Sequence, residues 1–203
     1  VHRRSWLKLA SAALFGLAAP PARAQTLPLV ALTTRLGRIV VVLETRRAPL
    51  SAGAFLDCAT RHGFDGGAFT RVVRPDNDHG TPKISVIQGA NRPGLTLKPI
   101  AHETTRQTGL RHRDGTVSLG RDAVGTATGG EFFICVGDQP GLDYGGPRNP
   151  DRQGFAAFGH VTEGMDIVRE ILAMPANGPS PDAYTRGQML APKLAILAAT
   201  RLG

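Results

Sequence analysis

The chain has 203 residues, 41% of them hydrophobic and only 5% aromatic, which suits one globular domain with an aliphatic core and excludes a disordered or repeat protein. Its formal charge of +8 does not indicate nucleic-acid binding, because no Lys/Arg cluster alternates with aromatic residues. The 25 Gly and 15 Pro indicate many turns and a loop-rich, β-rich chain, and the absence of heptads excludes a coiled coil.

Arg3, Arg4 and Lys8 precede the apolar run LASAALFGLAA (9–19), and Ala22-Arg23-Ala24 follows it. This order predicts a signal peptide over residues 1–24, the apolar run being far short of the ~20 residues a spanning helix needs. Arg3-Arg4-Ser5-Trp6-Leu7-Lys8 resembles the twin-arginine export signal, with Trp where Phe is usual; an ordinary secretory leader with a basic end is the alternative. Either route predicts a periplasmic protein without a membrane span, with residues 25–203 as a single domain. Losing the leader leaves 20 Lys/Arg against 16 Asp/Glu, a mildly basic charge of +4.

From Leu29 the sequence VALTTRLGRIVVVLE reads as two strands of a hairpin around Arg35-Leu36-Gly37. Residues 48–61 are predicted helical, with Pro49 and Ser51 near the start and Ala52, Phe55, Leu56 and Ala59 as an apolar stripe. Short strands are predicted at 68–73, 84–88, 116–119, 131–136 and 155–161. A second helix follows at 163–173, where Met165, Ile167, Val168, Ile171 and Leu172 share a face. The run 192–200 is the last predicted strand. Seven or eight strands with two helices point to a closed antiparallel barrel capped at its ends. The loops 74–83, 89–101 and 143–154 are the predicted recognition surfaces.

Three of these strands mix an apolar residue with a long polar one on a single face. Strict alternation puts Phe69, Arg71 and Val73 together, Val86 with Gln88, and Glu131 with Phe133 and Cys135. Such a face fits a shallow apolar pocket with a polar wall. The simpler reading of periodicity alone is ordinary edge positions, with Arg71 and Glu131 forming a structural ion pair.

A family resemblance rests on the same residues. FTRVV (69–73) is similar to the Phe-His-Arg-Val-Ile core of cyclophilins, VIQGA (86–90) to their Gln-Gly-Gly segment, and GGEFFIC (129–135) to their Ser-Gln-Phe-Phe-Ile segment. AAFGHVTEGMDIVREI resembles their Val-Phe-Gly-x-Val-x-x-Gly-Met-x-x-Val stretch, and HRDGTVSLGR their His-x-x-Gly-x-x-Ser-Met-Ala run. Each motif is weak alone, but five in the family's order from about residue 30 to 198 are specific. The resemblance implies an eight-stranded barrel with two capping helices and peptidyl-prolyl cis-trans isomerase activity on proline-containing polypeptides, in a monomer without metal or cofactor. It also implies that Arg71 is the catalytic donor, that Phe133, Val86 and Leu142 form a proline slot, that Gln88 holds substrate backbone, and that Phe69, Glu131, Phe155 and Arg121 border the substrate.

The chain departs from the family pattern at several of these positions. Glu131 replaces a usual Gln, and its carboxylate is placed to pair with Arg71. Ser85 and Gly141 stand where a pocket Phe and Trp are expected, which thins two apolar walls. Phe155 falls on a usual His and partly restores an aromatic wall, and Arg121 falls on a usual Asn. The segments 74–83 and 144–154 are longer than in the family and are expected to rim the pocket.

Three other functions have partial support in the sequence. A cyclophilin-like module that binds proline segments with little turnover is compatible with the changes at Glu131, Ser85 and Gly141. Metal-dependent hydrolysis would draw on His79, His102, Glu103 and His112, but HETTR lacks the second His of zinc-protease spacing, and these histidines read as structural. Serine hydrolysis lacks a G-x-S-x-G elbow. Cys58 lies on the apolar side of a helix and reads as core; it and Cys135 are either a bridge or two buried thiols.

Overall fold

The computed structural model describes residues 26–202; the predicted leader, residues 1–24, lies outside them. The opening hairpin pairs β1 (Leu29–Thr34) with β2 (Gly37–Leu43) in antiparallel register. Helix α1 (Pro49–Thr60) follows, then β3 (Ala68–Val73), β4 (Val86–Ala90), the single turn α2 (Thr105–Thr108), β5 (Thr116–Leu119) and β6 (Glu131–Cys135). A 3-10 turn at Pro140–Leu142 leads to β7 (Ala156–Glu163), α3 (Met165–Ala173), β8 (Met189–Ala195) and β9 (Ala198–Leu202).

The nine strands form one antiparallel sheet in the order β8-β3-β4-β6-β5-β7-β2-β1-β9. The count is nine rather than eight because the predicted final strand divides. Only Ile196 and Leu197 separate β8 from β9, yet these strands lie at opposite edges of the sheet. The sheet must therefore curl until its edges meet. Ile196 bonds across to Gly67, and the Leu197 N–H donates to the Thr33 carbonyl, so these two residues span the seam.

Inside the curl lies an aliphatic core with an aromatic centre. Phe132 meets the edges of Phe55, Phe64 and Phe69 at centroid distances of 5.3, 5.5 and 5.8 Å, the favoured T-shaped geometry. Gly89 of β4 has no side chain because a Cβ there would come within 2.6 Å of the Phe132 ring. Helix α1 closes one end with Ala52, Phe55, Cys58 and Ala59, and α3 packs with Val168 and Ile171.

Helix α1 has Pro at its first position, where a missing N–H costs nothing. Its N-cap residue, Ala48, supplies no side-chain cap. The cap comes instead from Glu103, whose two carboxylate oxygens accept from the N–H groups of Leu50 at 3.2 Å and Ser51 at 2.7 Å. A carboxylate at a helix N-terminus satisfies orphan donors and complements the helix dipole. Glu103 is thus a structural cap, not a base or a ligand.

Candidate active site

A second, smaller apolar cluster lies outside the main core: Val73, Ile84, Val86, Phe133, Cys135 and Leu142, with Phe155 packed against it. All of these but Cys135 floor a cavity of about 380 Å³, and Arg71, Gln88, Glu131 and Arg121 also line it. Alternation along β6 explains why neighbours part company: Phe132 enters the main core and Phe133 the cavity floor. Phe155 stands edge-on to Phe133 at 5.2 Å, so two aromatic rings make a corner of the slot.

Phe69 is a correction. It is fully buried in the main core and does not line the cavity. The register of β3 shifts between Phe69 and Arg71 against both neighbouring strands. The extra residue, Thr70, breaks strict alternation, so Phe69 and Arg71 face opposite sides. Bulges of this kind re-aim side chains near functional sites.

The expected ion pair between Arg71 and Glu131 is also absent among the described residues. The Arg71 Nε and Nη2 donate to the Gln188 Oε1 at 2.8 and 2.5 Å, and Nη1 reaches the Gln88 Oε1 at 3.3 Å. The guanidinium lies 5.6 Å from the centre of the Tyr184 ring. Burial draws its pKa below the usual value, but an arginine remains a cation at any physiological pH. Glu131 is exposed at the cavity rim.

Arg121 lines the cavity wall but directs its hydrogen bonds elsewhere. It donates to the Gly154 carbonyl at 2.9 Å and grips both oxygens of Asp151 at 2.8 and 2.9 Å, with its guanidinium 5.3 Å from the Phe155 ring centre. Its hydrogen bond, with that from the Gln153 N–H, holds the Asp151 carboxyl below its ordinary range. Arg121 therefore pins the 144–154 loop and the Phe155 wall.

The two long segments differ in how they serve the cavity. Arg148 and Asn149 line it, whereas 74–83 stands behind. Arg148 makes a bidentate bond to Asp78 at 2.7 and 2.8 Å, and both side chains are almost wholly buried. Asp78 also accepts from the N–H groups of Gly80 and Ile84, each at 2.9 Å. Burial alone would raise the Asp78 pKa, but its bonds from Arg148 and the backbone outweigh that and lower it. Pro82 packs against Gly141 so closely that a Cβ there would lie 2.5 Å from its ring. The segment 74–83 thus occupies the space beside Gly141 where the family pattern carries an indole.

Sequence reasoning did not single out a third segment, which carries Asp182, Tyr184 and Thr185 into the lining and Gln188 onto Arg71. The Tyr184 hydroxyl accepts from the Arg148 Nη2 at 2.9 Å. Val73, which alternation places on the face of Arg71, lines the cavity, and so does Ile84, which no motif marks. Ile84, not Ser85, faces the cavity. Alternation with Val86 was the available signal for Ile84; no local pattern marks Tyr184 or Gln188.

The histidines are dispersed. His79 bonds the Arg186 carbonyl at 2.9 Å and His102 the Gln153 carbonyl at 3.2 Å. His112 bonds Asp143 through Nδ1 at 2.8 Å and the Ser118 Oγ through Nε2 at 3.0 Å. These are triad distances, but Ser118 is completely buried and no substrate carbonyl can reach it. The His112 ring instead stacks on Phe133 at 5.9 Å, buttressing the cavity floor. No group of three metal-binding side chains occurs among the described residues, nor does any helix long and apolar enough to cross a membrane. Cys58 and Cys135 are free thiols in separate apolar clusters. Burial pushes Cys58 up to about 11 and raises Cys135 further, so both stay protonated.

Nine strands, two capping helices and an arginine beside an apolar slot define a cyclophilin-like protein. The family model for cyclophilin type peptidyl-prolyl cis-trans isomerase/CLD matches residues 29–188, and the chain belongs to that family. Among curated relatives, peptidyl-prolyl cis-trans isomerase A of Dickeya dadantii is 31% identical over 80% of this chain and 80% of its own. The isomerase cyp18 of Streptomyces antibioticus is 34% identical over 70% of this chain and 81% of its own. A crystal structure of a cyclophilin type isomerase from Cryptosporidium parvum shares the fold, with a TM-score of 0.66 over 87% of this chain and 98% of that one, at 15% identity. A structure of the same protein in the presence of the dipeptide ala-pro gives a TM-score of 0.65 over 86% of this chain and 99% of that one, at 16% identity.

Proposed function

We propose that this chain accelerates cis-trans rotation about X-Pro bonds in proline-containing polypeptides, with Arg71 as the donor that stabilises the twisted amide. The observation that carries the reading is a fixed guanidinium on the same cavity as a slot of Val86, Phe133 and Leu142.

The uncatalysed barrier of ~18–20 kcal/mol comes from amide resonance. Twisting the bond ends that resonance and leaves the proline nitrogen pyramidal, with a localised lone pair. A preplaced cationic donor binds that nitrogen better in the twisted state than in the planar one, which is the condition for catalysis. The apolar slot holds the proline ring while the preceding carbonyl turns. Gln88, beside Arg71, offers its amide to substrate backbone. The reaction needs no proton transfer, covalent intermediate or metal.

A donor at a desolvated site that removes ~3–4 kcal/mol from the barrier contributes about 10²–10³ in rate. The test is cis-to-trans relaxation of a short X-Pro peptide with the wild-type domain and with Arg71→Ala. Wild-type acceleration that falls by about 10²–10³ in the variant supports the reading. A folded wild-type domain that binds the peptide without accelerating it replaces the enzyme with a proline-peptide binding module.

Export to the periplasm belongs to the same proposal and is supported by the order of residues in 1–24: basic, apolar, then a small-x-small site before Gln25. Its clients are then folding or mature exported proteins. Recovery of the protein in the periplasmic fraction with Gln25 at its N-terminus is the expected result; a cytoplasmic, uncleaved chain overturns it.

A further inference from the structure

We infer that Gln188 is the positioning residue for Arg71: it fixes the plane of the guanidinium without neutralising its charge. The inference rests on the proposed role of Arg71 as the donor. Gln188 is fully buried, lies 117 positions from Arg71 in sequence, and gives its single oxygen to both Nε and Nη2 at 2.8 and 2.5 Å. Two bonds from one edge of a planar fork determine its plane.

The orientation of the Gln188 amide is itself determined. Its Nε2 donates to the Asn77 carbonyl at 2.7 Å. Turning the amide over would set its oxygen against a carbonyl and its NH₂ against a guanidinium, losing every bond and creating two repulsions. Asn77 is held in turn: its Oδ1 accepts from the Arg74 N–H at 2.7 Å, and its Nδ2 donates to the Gly187 carbonyl at 2.9 Å. The Val72 N–H donates to the Gln188 carbonyl at 2.9 Å, tying the same residue to the strand that carries Arg71. The loop 74–83 therefore reaches Arg71 through Gln188.

With Nε and one N–H of Nη2 committed to Gln188, and one of Nη1 turned to Gln88, two of the five guanidinium N–H groups remain for a substrate. A carboxylate in place of Gln188 would hold the fork as well, but it would cancel the charge that a developing lone pair must feel. A neutral acceptor supplies orientation alone.

The test measures kcat and KM separately on an X-Pro peptide for wild type, Gln188→Met, Gln188→Glu, and each of these combined with Arg71→Ala. Rates are taken per folded molecule by circular dichroism. The expected result is a fall in kcat of about 10- to 100-fold with KM nearly unchanged. The Met variant loses orientation and the Glu variant loses charge, and neither has a further effect once Arg71 is gone. A purely structural residue would lower melting temperature and leave kcat per folded molecule intact; that result overturns the inference and leaves the isomerase reading standing. An inactive wild type overturns both. Should the Met variant not fold, the Glu variant decides alone, unchanged kcat counting against the inference. Should neither fold, amide-type exchange of the Arg71 Nε–H in the wild type decides: slow exchange is the signature of the Gln188 bond, and exchange at the free-arginine rate overturns it.

Discussion

Alternation along β6 sends Phe132 and Phe133 to opposite sides, and the two rings serve different ends. Phe132 is the hub of the aromatic centre, touching Phe55, Phe64 and Phe69. Phe132→Ala is expected to cost about 3–5 kcal/mol of stability through lost contacts and a cavity that the barrel cannot collapse. Phe133→Ala leaves that core intact and is expected to lower kcat/KM on an X-Pro peptide by about 10- to 100-fold, since the proline ring loses its floor. Denaturant unfolding and peptide kinetics on both variants check the contrast. Equal stability losses with unaltered kinetics would remove Phe133 from the slot. Glycine at position 89 belongs to the same argument: Gly89→Ala drives a methyl into the Phe132 ring and is expected to destabilise by about 1–3 kcal/mol through overpacking.

Among the elements, the bulge in β3 and the clasp between two loops do most to shape the site. The register shift at Thr70 turns Arg71 to the cavity while leaving Phe69 in the core. The buried Asp78–Arg148 pair locks 74–83 to 144–154 across 70 positions of sequence. Taking one partner from a buried ion pair strands the other charge, at about 3–5 kcal/mol. Asp78→Ala is therefore expected to free the 144–154 loop, seen as faster proteolysis near Arg148 and Arg152 with a smaller change in global unfolding. Arg148 also presents Tyr184 over Arg71, so kcat/KM should fall in the same variant. Unchanged loop proteolysis would show that the pair is not a clasp.

For the whole molecule, three groups make stability depend on pH with the same sign. Burial favours a raised pKa at Asp78 and Asp143, but bonds from Arg148 and the backbone in one, and from His112 in the other, lower both. A depressed carboxylate contributes stability that is complete above its unfolded value of about 3.9 and is lost as pH falls through its folded value. Burial lowers the pKa of His102, whose Nδ1 has no partner among the described residues. Between about 6.5, the unfolded value, and the lower folded value, the unfolded state binds more protons, so stability again drops as the pH is lowered. The urea midpoint is expected to hold steady above about pH 7, decline gently below about 6.5 and steeply below about 4. A midpoint that rises on acidification would contradict this account.

Local pattern carried much of the fold. Helical spacing in 48–61 and 163–173 and β-rich runs at 68–73, 116–119 and 131–136 mark elements that exist, because each needs only its own periodicity to bury one face. The five ordered motifs identify the family and bring Arg71, Val86, Gln88 and Phe133, all of them on strands, to attention. What the tertiary structure alone decided are the features that depend on distant partners. The bulge that removes Phe69 from the site is a matter of pairing between β3 and its neighbours, not of composition. The division of the last strand follows from the seam the sheet must cross. Glu103 caps a helix 52 positions away, and Gln188 and Tyr184 reach Arg71 from a loop with no recognisable motif. A hydrogen bond between residues far apart in sequence leaves no periodic trace, because its geometry comes into being only when the barrel closes.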